Sequence, residues 1–317
     1  MSGALAVCHF SPLSVCAQLD SPREWFADFA EHKLYYMPNG TAPPPSTVIV
    51  PRLATLISIT GDAQQQATGV TLRGLTFTHS LTTFLGEYEV PSGGDWSMHR
   101  GGAIFATGTA GLLVEGCHFD RLGGNGLMLS AKNRDATISG SEFSWIGDNA
   151  IAQMGTVKFD RTENMDPMSN DLMDATDGYH PEGTTVQSCL FREIGVYGKQ
   201  VSAFASALSF KTTINGSIFY NGPRAGINWN DGMGGGNSIT CVLLLAPYVT
   251  HAHSCSISRG ACDVADVAGV GMRGRQNLLF NWVRETSDHG VSSHFRSHRP
   301  DCDIHSPGHD IVSSERA

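Results

Sequence analysis

The sequence predicts an all-β solenoid of the parallel β-helix type, and three observations predict it. A nine-residue motif ending in phenylalanine recurs as GVTLRGLTF (69–77), GLLVEGCHF (111–119), DATISGSEF (135–143), GTTVQSCLF (183–191) and KTTINGSIF (211–219). Successive phenylalanines lie 24 residues apart from Phe119 to Phe143 and 28 apart from Phe191 to Phe219, a period that belongs to stacked repeats. Each copy alternates apolar and polar residues and runs into a turn cluster such as DRLGGNG or YNGPRAG, as strands bounded by bends do. A β-sandwich also has regularly spaced strands, but it does not repeat one motif in register.

The elements follow from the stacking. One coil cannot bury its own apolar face, so each lies on the next about 4.8 Å away. Phe77, Phe119, Phe143, Phe191 and Phe219 are expected to form an inward ladder of rings. Two residues earlier, Leu75, Cys117, Ser141, Cys189 and Ser217 are expected to form a second inward column of small or apolar side chains. Cys117 and Cys189 then stand at least two coils apart, roughly 9 Å or more, which is beyond disulfide reach. They read as buried thiols. The glycine clusters GGNG (123–126) and GMGGG (232–236) precede no helix and no GK[ST] ending, so they are bends rather than phosphate loops.

Composition narrows the function. The 317 residues include 36 glycines, and only 16% are charged, which suits a turn-rich β protein. A net charge of −9 with no basic stripe argues against nucleic acid as a partner. The apolar run CVLLLAPYV (241–249) is far short of the roughly 20 residues of a membrane-spanning helix, so no membrane partner is expected. The acidic stretch DLMDATDGYH (171–180) lacks the ligand spacing of a calcium loop, and no metal site is expected there.

Three segments break the pattern. Phe280 follows Phe219 by 61 residues, and 36 of these form the unpatterned segment 241–276. Without it, SIT joins NLLF as TIN joins GSIF at 213–219. Its first residues, Cys241 and Val242, are encodable across a GT and its last, Gln276, by CAG, the edges of an intron. The segment therefore reads as a translated intron, with a surface-loop insertion as the alternative that solenoids tolerate. Residues 1–18 form an untrusted leader that resembles a weak signal peptide ending near Ala17, without a basic start. A true signal would place the protein in the secretory pathway or outside the cell. Residues 291–317 are an unpatterned, histidine-rich tail. The β-helix domain is thus expected over 19–290, truncated at its C-terminal end, with an uncapped edge that predicts poor solubility.

Several longer motifs resemble a known group. DSPREWFADFAEHKLYYMP (20–38), VPSGGDWSMHRGGAIF (90–105), FDRLGGNGLML (119–129), FSWIGDNAI (143–151), IGVYGKQVSAFASALS (194–209), FYNGPRAGINWNDGMGGGN (219–237) and NLLFNWVRETSDHG (277–290) are similar to right-handed parallel β-helix proteins of the pectate-lyase-like fold, in the group around glycoside hydrolase family 141. The resemblance implies cleavage of plant-type glycans, with fucosidase and xylanase activities assigned in the group. Members continue after ETSDHG into a segment with a Trp-Asp-Arg element that this chain lacks.

Register points to candidate site residues. Five positions beyond the ladder phenylalanines stand Gly124, Asp148 and Arg224, opening the strands NGLML, NAIAQ and AGINW, and SDHG puts Asp288 in a similar place. These side chains are expected to project from one edge of one sheet, beside a groove walled by long turns at 155–182 and 195–203. Glycoside hydrolysis uses two carboxylates. Asp231 and Asp288 are the preferred pair, about one coil apart once 241–276 is set aside, with Glu285 and Asp148 in reserve. Arg224, His289, Lys199 and Arg100 are candidate substrate-binding residues, Arg100 and His99 having a turn cap as the alternative reading. Asp148 and Asp231 also fit turn chemistry, since their side chains bond nearby amides. The expected substrate is a cell-wall or algal-type polysaccharide or oligosaccharide. The alternatives are a polysaccharide lyase, which would need Ca²⁺ and an Arg or Lys base, and a non-catalytic glycan-binding β-helix.

Overall fold

A computed structural model describes residues 19–28, 30–40, 48–62, 64–89, 98–156, 179–229 and 236–240, and the strands Leu243–Leu245, Met272–Arg275, Leu278–Phe280 and Ser292–His294. The chain divides into two compact units, Met1–Val50 and Pro51–Ala317. The first holds an antiparallel hairpin of Trp25–Asp28 and Lys33–Tyr36. The second is a parallel β-helix, and among the described residues it contains no helix.

Three parallel sheets run along the solenoid. The broad sheet stacks Ile57–Thr60, Ile104–Ala110, Leu127–Arg134, Ile151–Met154, Ser202–Ala207, Ala225–Trp229 and Ser292–His294. The second sheet passes through Leu113–Glu115, Thr137–Ser139 and Thr185–Gln187, and the third through His118–Asp120, Glu142–Ile146 and Leu190–Ile194. Each sheet sends at least one column inward. Phe77, Phe119, Phe143, Phe191 and Phe219 pair in register on the third sheet, with ring centroids 4.9, 4.3, 5.0 and 4.4 Å apart. The expected ladder is therefore present. Leu72, Val114, Ile138, Val186, Ile214 and Ile239 form the matching column of the second sheet. Ile104, Leu127, Ile151, Phe204 and Ile227 form that of the broad sheet. The same type recurs because each side chain packs on its counterpart one rung away.

Left-handed residues at three corners turn the chain in each coil. Gly69, Gly111, Asp135, Gly183 and Lys211 stand at the first corner, with φ between 51° and 75°. Gly74, Gly116, Gly140, Ser188 and Gly216 stand at the second, and His79, Arg121, Trp145, Glu193 and Asn221 at the third. A Cβ added to Gly74, Gly116 or Gly140 would meet nothing within 4 Å, so φ rather than space asks for glycine there.

The second inward column holds with one exception. Cys117, Ser141, Cys189 and Ser217 are buried, and Ser141 Oγ and Ser217 Oγ accept from the Cys117 and Cys189 amides at 3.1 and 3.2 Å. Both cysteines are free thiols. Leu75, however, is 42% exposed. Its coil carries Thr76–Thr78, the last strand of the third sheet, so it lacks the neighbouring rung that encloses its counterparts. At the other end, Leu244 lies opposite Phe219, and Leu278–Phe280 pairs with Leu243–Leu245 one rung further on. The remainder of the proposed intron segment, the leader 1–18 and most of the tail lie outside the described residues.

Candidate functional site

The edge where the third sheet turns into the broad sheet is built on asparagine. Asn125 Nδ2 donates to the carbonyls of His99 and Gly101 at 2.9 and 2.8 Å. Asn125 Oδ1 accepts from both the backbone and side-chain nitrogens of Asn149 at 3.0 Å, and Asn149 Oδ1 accepts from the Ser202 amide at 3.0 Å. Side-chain amides thus replace the missing ladder bonds at the bend, which explains the residues that open NGLML and NAIAQ.

Asp148, Val201 and Arg224 stand three residues before Ile151, Phe204 and Ile227, which pair in register, so Asp148 and Arg224 share a column two rungs apart. They do not project from the edge as the sequence suggested: Asp148 is 2% exposed and Arg224 0%. The Tyr88 hydroxyl donates to Asp148 Oδ2 at 2.8 Å, and Asn149 Nδ2 lies 3.4 Å from Oδ1. Burial pushes the Asp148 carboxyl above its usual range, opposed in part by the Tyr88 bond and the neighbouring His99. Burial and the Asp148 charge push the Tyr88 phenol upward in turn. His99 Nδ1 lies 2.8 Å from the Glu87 carbonyl, and its ring centroid is 5.8 Å from that of Tyr88. The segment from Glu87 to Tyr88 is thereby pinned onto the turn at Asp148.

Arg100 is a clamp. Its Nε and Nη2 donate to Glu89 at 2.7 and 2.8 Å, Nη1 donates to Ser130 Oγ at 2.9 Å and Met154 O at 3.3 Å, and Nη2 reaches Gly155 O at 3.1 Å. These contacts use the five donors of the guanidinium. The turn-cap reading of His99 and Arg100 thus matches their partners more closely than a groove.

The outer face of the broad sheet is closed over its middle rungs, whereas Ser58 and Thr60 on its first strand are exposed. Met128, Ala152 and Ala205 form one outward row and Ser130, Met154 and Ala207 the next, and all are at most 4% exposed. Of the two long turns, 157–178 lies outside the described residues. The other folds back on the preceding coil, where the amides of Val196, Tyr197 and Gly198 donate to the carbonyls of Ile146 and Gly147 at 2.9–3.0 Å.

That turn borders an open depression of about 200 Å³, lined by Trp145, Glu193, Lys199, Asn221 and Pro223 among others. Lys199 Nζ donates to the Gly195 carbonyl at 3.0 Å, and Asn221 donates its side-chain amide to Glu193. Trp145 is 42% exposed and left-handed, with φ of 55°. A left-handed non-glycine costs about 1–2 kcal/mol, which the covered part of the ring offsets by burial. Lys199, a candidate substrate-binding residue in the sequence, lines this depression beside Trp145, which the sequence reading did not single out. Its position two residues after Phe143, at a bend, was the available signal.

Among the described residues no three His, Cys, Asp or Glu side chains converge as metal ligands do. Asp231, Glu285, Asp288 and His289 lie outside the described residues. No family model and no curated protein matches this chain. A solved structure described as a glycoside hydrolase is similar to it in fold, with a TM-score of 0.55 and 19% identity; the match covers 71% of this chain and 43% of that one.

Proposed function

We propose that this chain is a carbohydrate-active hydrolase, of the kind grouped around glycoside hydrolase family 141, that cleaves glycosidic bonds in a cell-wall or algal-type polysaccharide. The observation that carries the reading is the parallel β-helix itself, a fold this chain shares with a glycoside hydrolase. The long motifs described above add to it. Fold alone does not specify chemistry, so the reading needs carboxylates in named roles.

Asp231 and Asp288 form the proposed pair, one as acid and the other as nucleophile or base. Glu285 stands in reserve, and His289 is a candidate for holding substrate. The burial of Asp148 under Tyr88 favours a positioning role over contact with sugar. Arg224, equally buried, would support the same edge from within. The occupied donors of Arg100 argue against sugar contact, whereas Lys199 borders an open depression.

The test is release of reducing ends from arabinoxylan and xyloglucan. Asp231→Asn and Asp288→Asn should each lower kcat about a hundredfold or more. The anomeric form of the first product would then separate retention from inversion. Turnover untouched by both substitutions would remove the pair. Unsaturated products that vanish on chelation would replace the hydrolase with a lyase, and glycan binding without turnover would replace it with a binding module.

A further inference from the structure

We infer that the depression beside Trp145 is a subsite for one neutral pyranose ring of a glycan chain. The choice of ligand rests on the glycan reading above; the site itself rests on four observations.

The first is the residue at the corner. All five residues of that column, His79, Arg121, Trp145, Glu193 and Asn221, are left-handed. Asparagine adopts that conformation most readily among them, and Asn221 does so one rung beyond Glu193. Tryptophan adds nothing to the turn. The second is exposure. At 42% the indole is not buried in the core, which the phenylalanine ladder fills without it. The third is the set of polar groups around it: a carboxylate from Glu193, an ammonium from Lys199 and an amide from Asn221. The fourth is size. At about 200 Å³ the depression falls below the roughly 300–1,000 Å³ of pockets that enclose a whole small molecule. It suits one unit of a longer chain.

A pyranose matches this chemistry. Its C–H face is apolar and lies flat on an aromatic ring, as other amphipathic partners of tryptophan do. Its rim of hydroxyls both donates and accepts. Glu193 is an acceptor, Lys199 a donor and Asn221 both; each is already bonded within the chain, and a sugar hydroxyl would share those groups. Lys199 and Glu193 give the lining both signs rather than a cationic cradle, and the chain carries a net charge of −9. A uronate would find no preference here, so the ring is neutral.

The site is tested on the full chain by native gel electrophoresis with arabinoxylan, xyloglucan or polygalacturonate cast into the gel. The wild type should be retarded by at least one neutral glycan and not by polygalacturonate. Trp145→Asn should weaken that retardation about tenfold while keeping the folded circular-dichroism spectrum, because the left-handed corner that asparagine favours offsets part of the lost burial. Trp145→Phe should retain part of the binding and Lys199→Ala should lose part. Wild-type retardation left unchanged by Trp145→Asn would overturn the inference, as would retardation by polygalacturonate alone. Cleavage of a neutral glycan without binding that depends on Trp145 would leave the hydrolase standing and remove the subsite. Binding that depends on Trp145 without cleavage would keep the subsite and remove the hydrolase.

Discussion

Replacing Phe143 by alanine removes a ring held between two others. Its centroid lies 4.3 Å from Phe119 and 5.0 Å from Phe191, with planes inclined by only 8° and 13°, and it is fully buried. Truncating a buried phenylalanine costs about 3–5 kcal/mol through lost transfer energy and the cavity left behind. A stacked aromatic pair adds about 0.5–1.5 kcal/mol beyond its buried area. Phe143 loses two such pairs, so the expected cost is at the top of the range, about 5 kcal/mol. Phe77 is the control. It has one ring neighbour, Phe119 at 4.9 Å, keeps 6% exposure and lies on the last strand of its sheet. Phe77→Ala should cost about 3 kcal/mol. Urea unfolding followed by circular dichroism measures both. A double-mutant cycle on Phe119 and Phe143 should show coupling, whereas Phe77 and Phe219, which do not touch, should behave additively. If Phe143→Ala costs under about 1 kcal/mol, or no more than Phe77→Ala, the ring ladder is not what holds the rungs together.

Other consequences can be checked separately. Burial raises the Asp148 carboxyl above the usual 3.8, so the folded chain binds that proton more tightly than the unfolded chain. The associated stability is complete below the ordinary aspartate range and is lost as pH rises through the raised value; thermal midpoints of Asp148→Asn across that window should be flatter than those of the wild type. Arg100→Ala should cost about 2–3 kcal/mol in urea, mostly from the bonds to Ser130, Met154 and Gly155, because Glu89 is 48% exposed and its ion pair is screened. Lysine at position 100 should not restore it, since a single ammonium cannot span these partners. Cys117 and Cys189 should resist iodoacetamide in the folded chain, as mapped by mass spectrometry, because both are 2% exposed and burial pushes the Cys189 thiol up to about 11. Labelling of either without denaturant would contradict the inward column.

The rungs were legible in the chain because each stacks on a near copy of itself. The spacing of Phe119, Phe143, Phe191 and Phe219 sufficed to align them, and the paired register agrees residue for residue. The same spacing put Asp148 and Arg224 in one column. It did not tell that both are buried, because what covers a side chain is set by segments far away along the chain. Tyr88, which bonds Asp148, is 60 residues upstream, and the Ser130, Met154 and Gly155 partners of Arg100 lie 30 to 55 residues downstream. Leu75 shows the converse. It obeys the column in sequence but lacks a neighbouring rung in space.

The sequence by itself determined the repeating interior: which residue types face inward and how far apart they recur. That information is short-range, since each rung needs only its neighbour to bury its apolar side. Only the tertiary structure decided what remains open on the outside. It closed the middle rungs of the broad sheet's outer face, buried Asp148 and Arg224, and left Trp145 beside a depression. Solvent exposure depends on how distant loops fold over a face, and no local period encodes that.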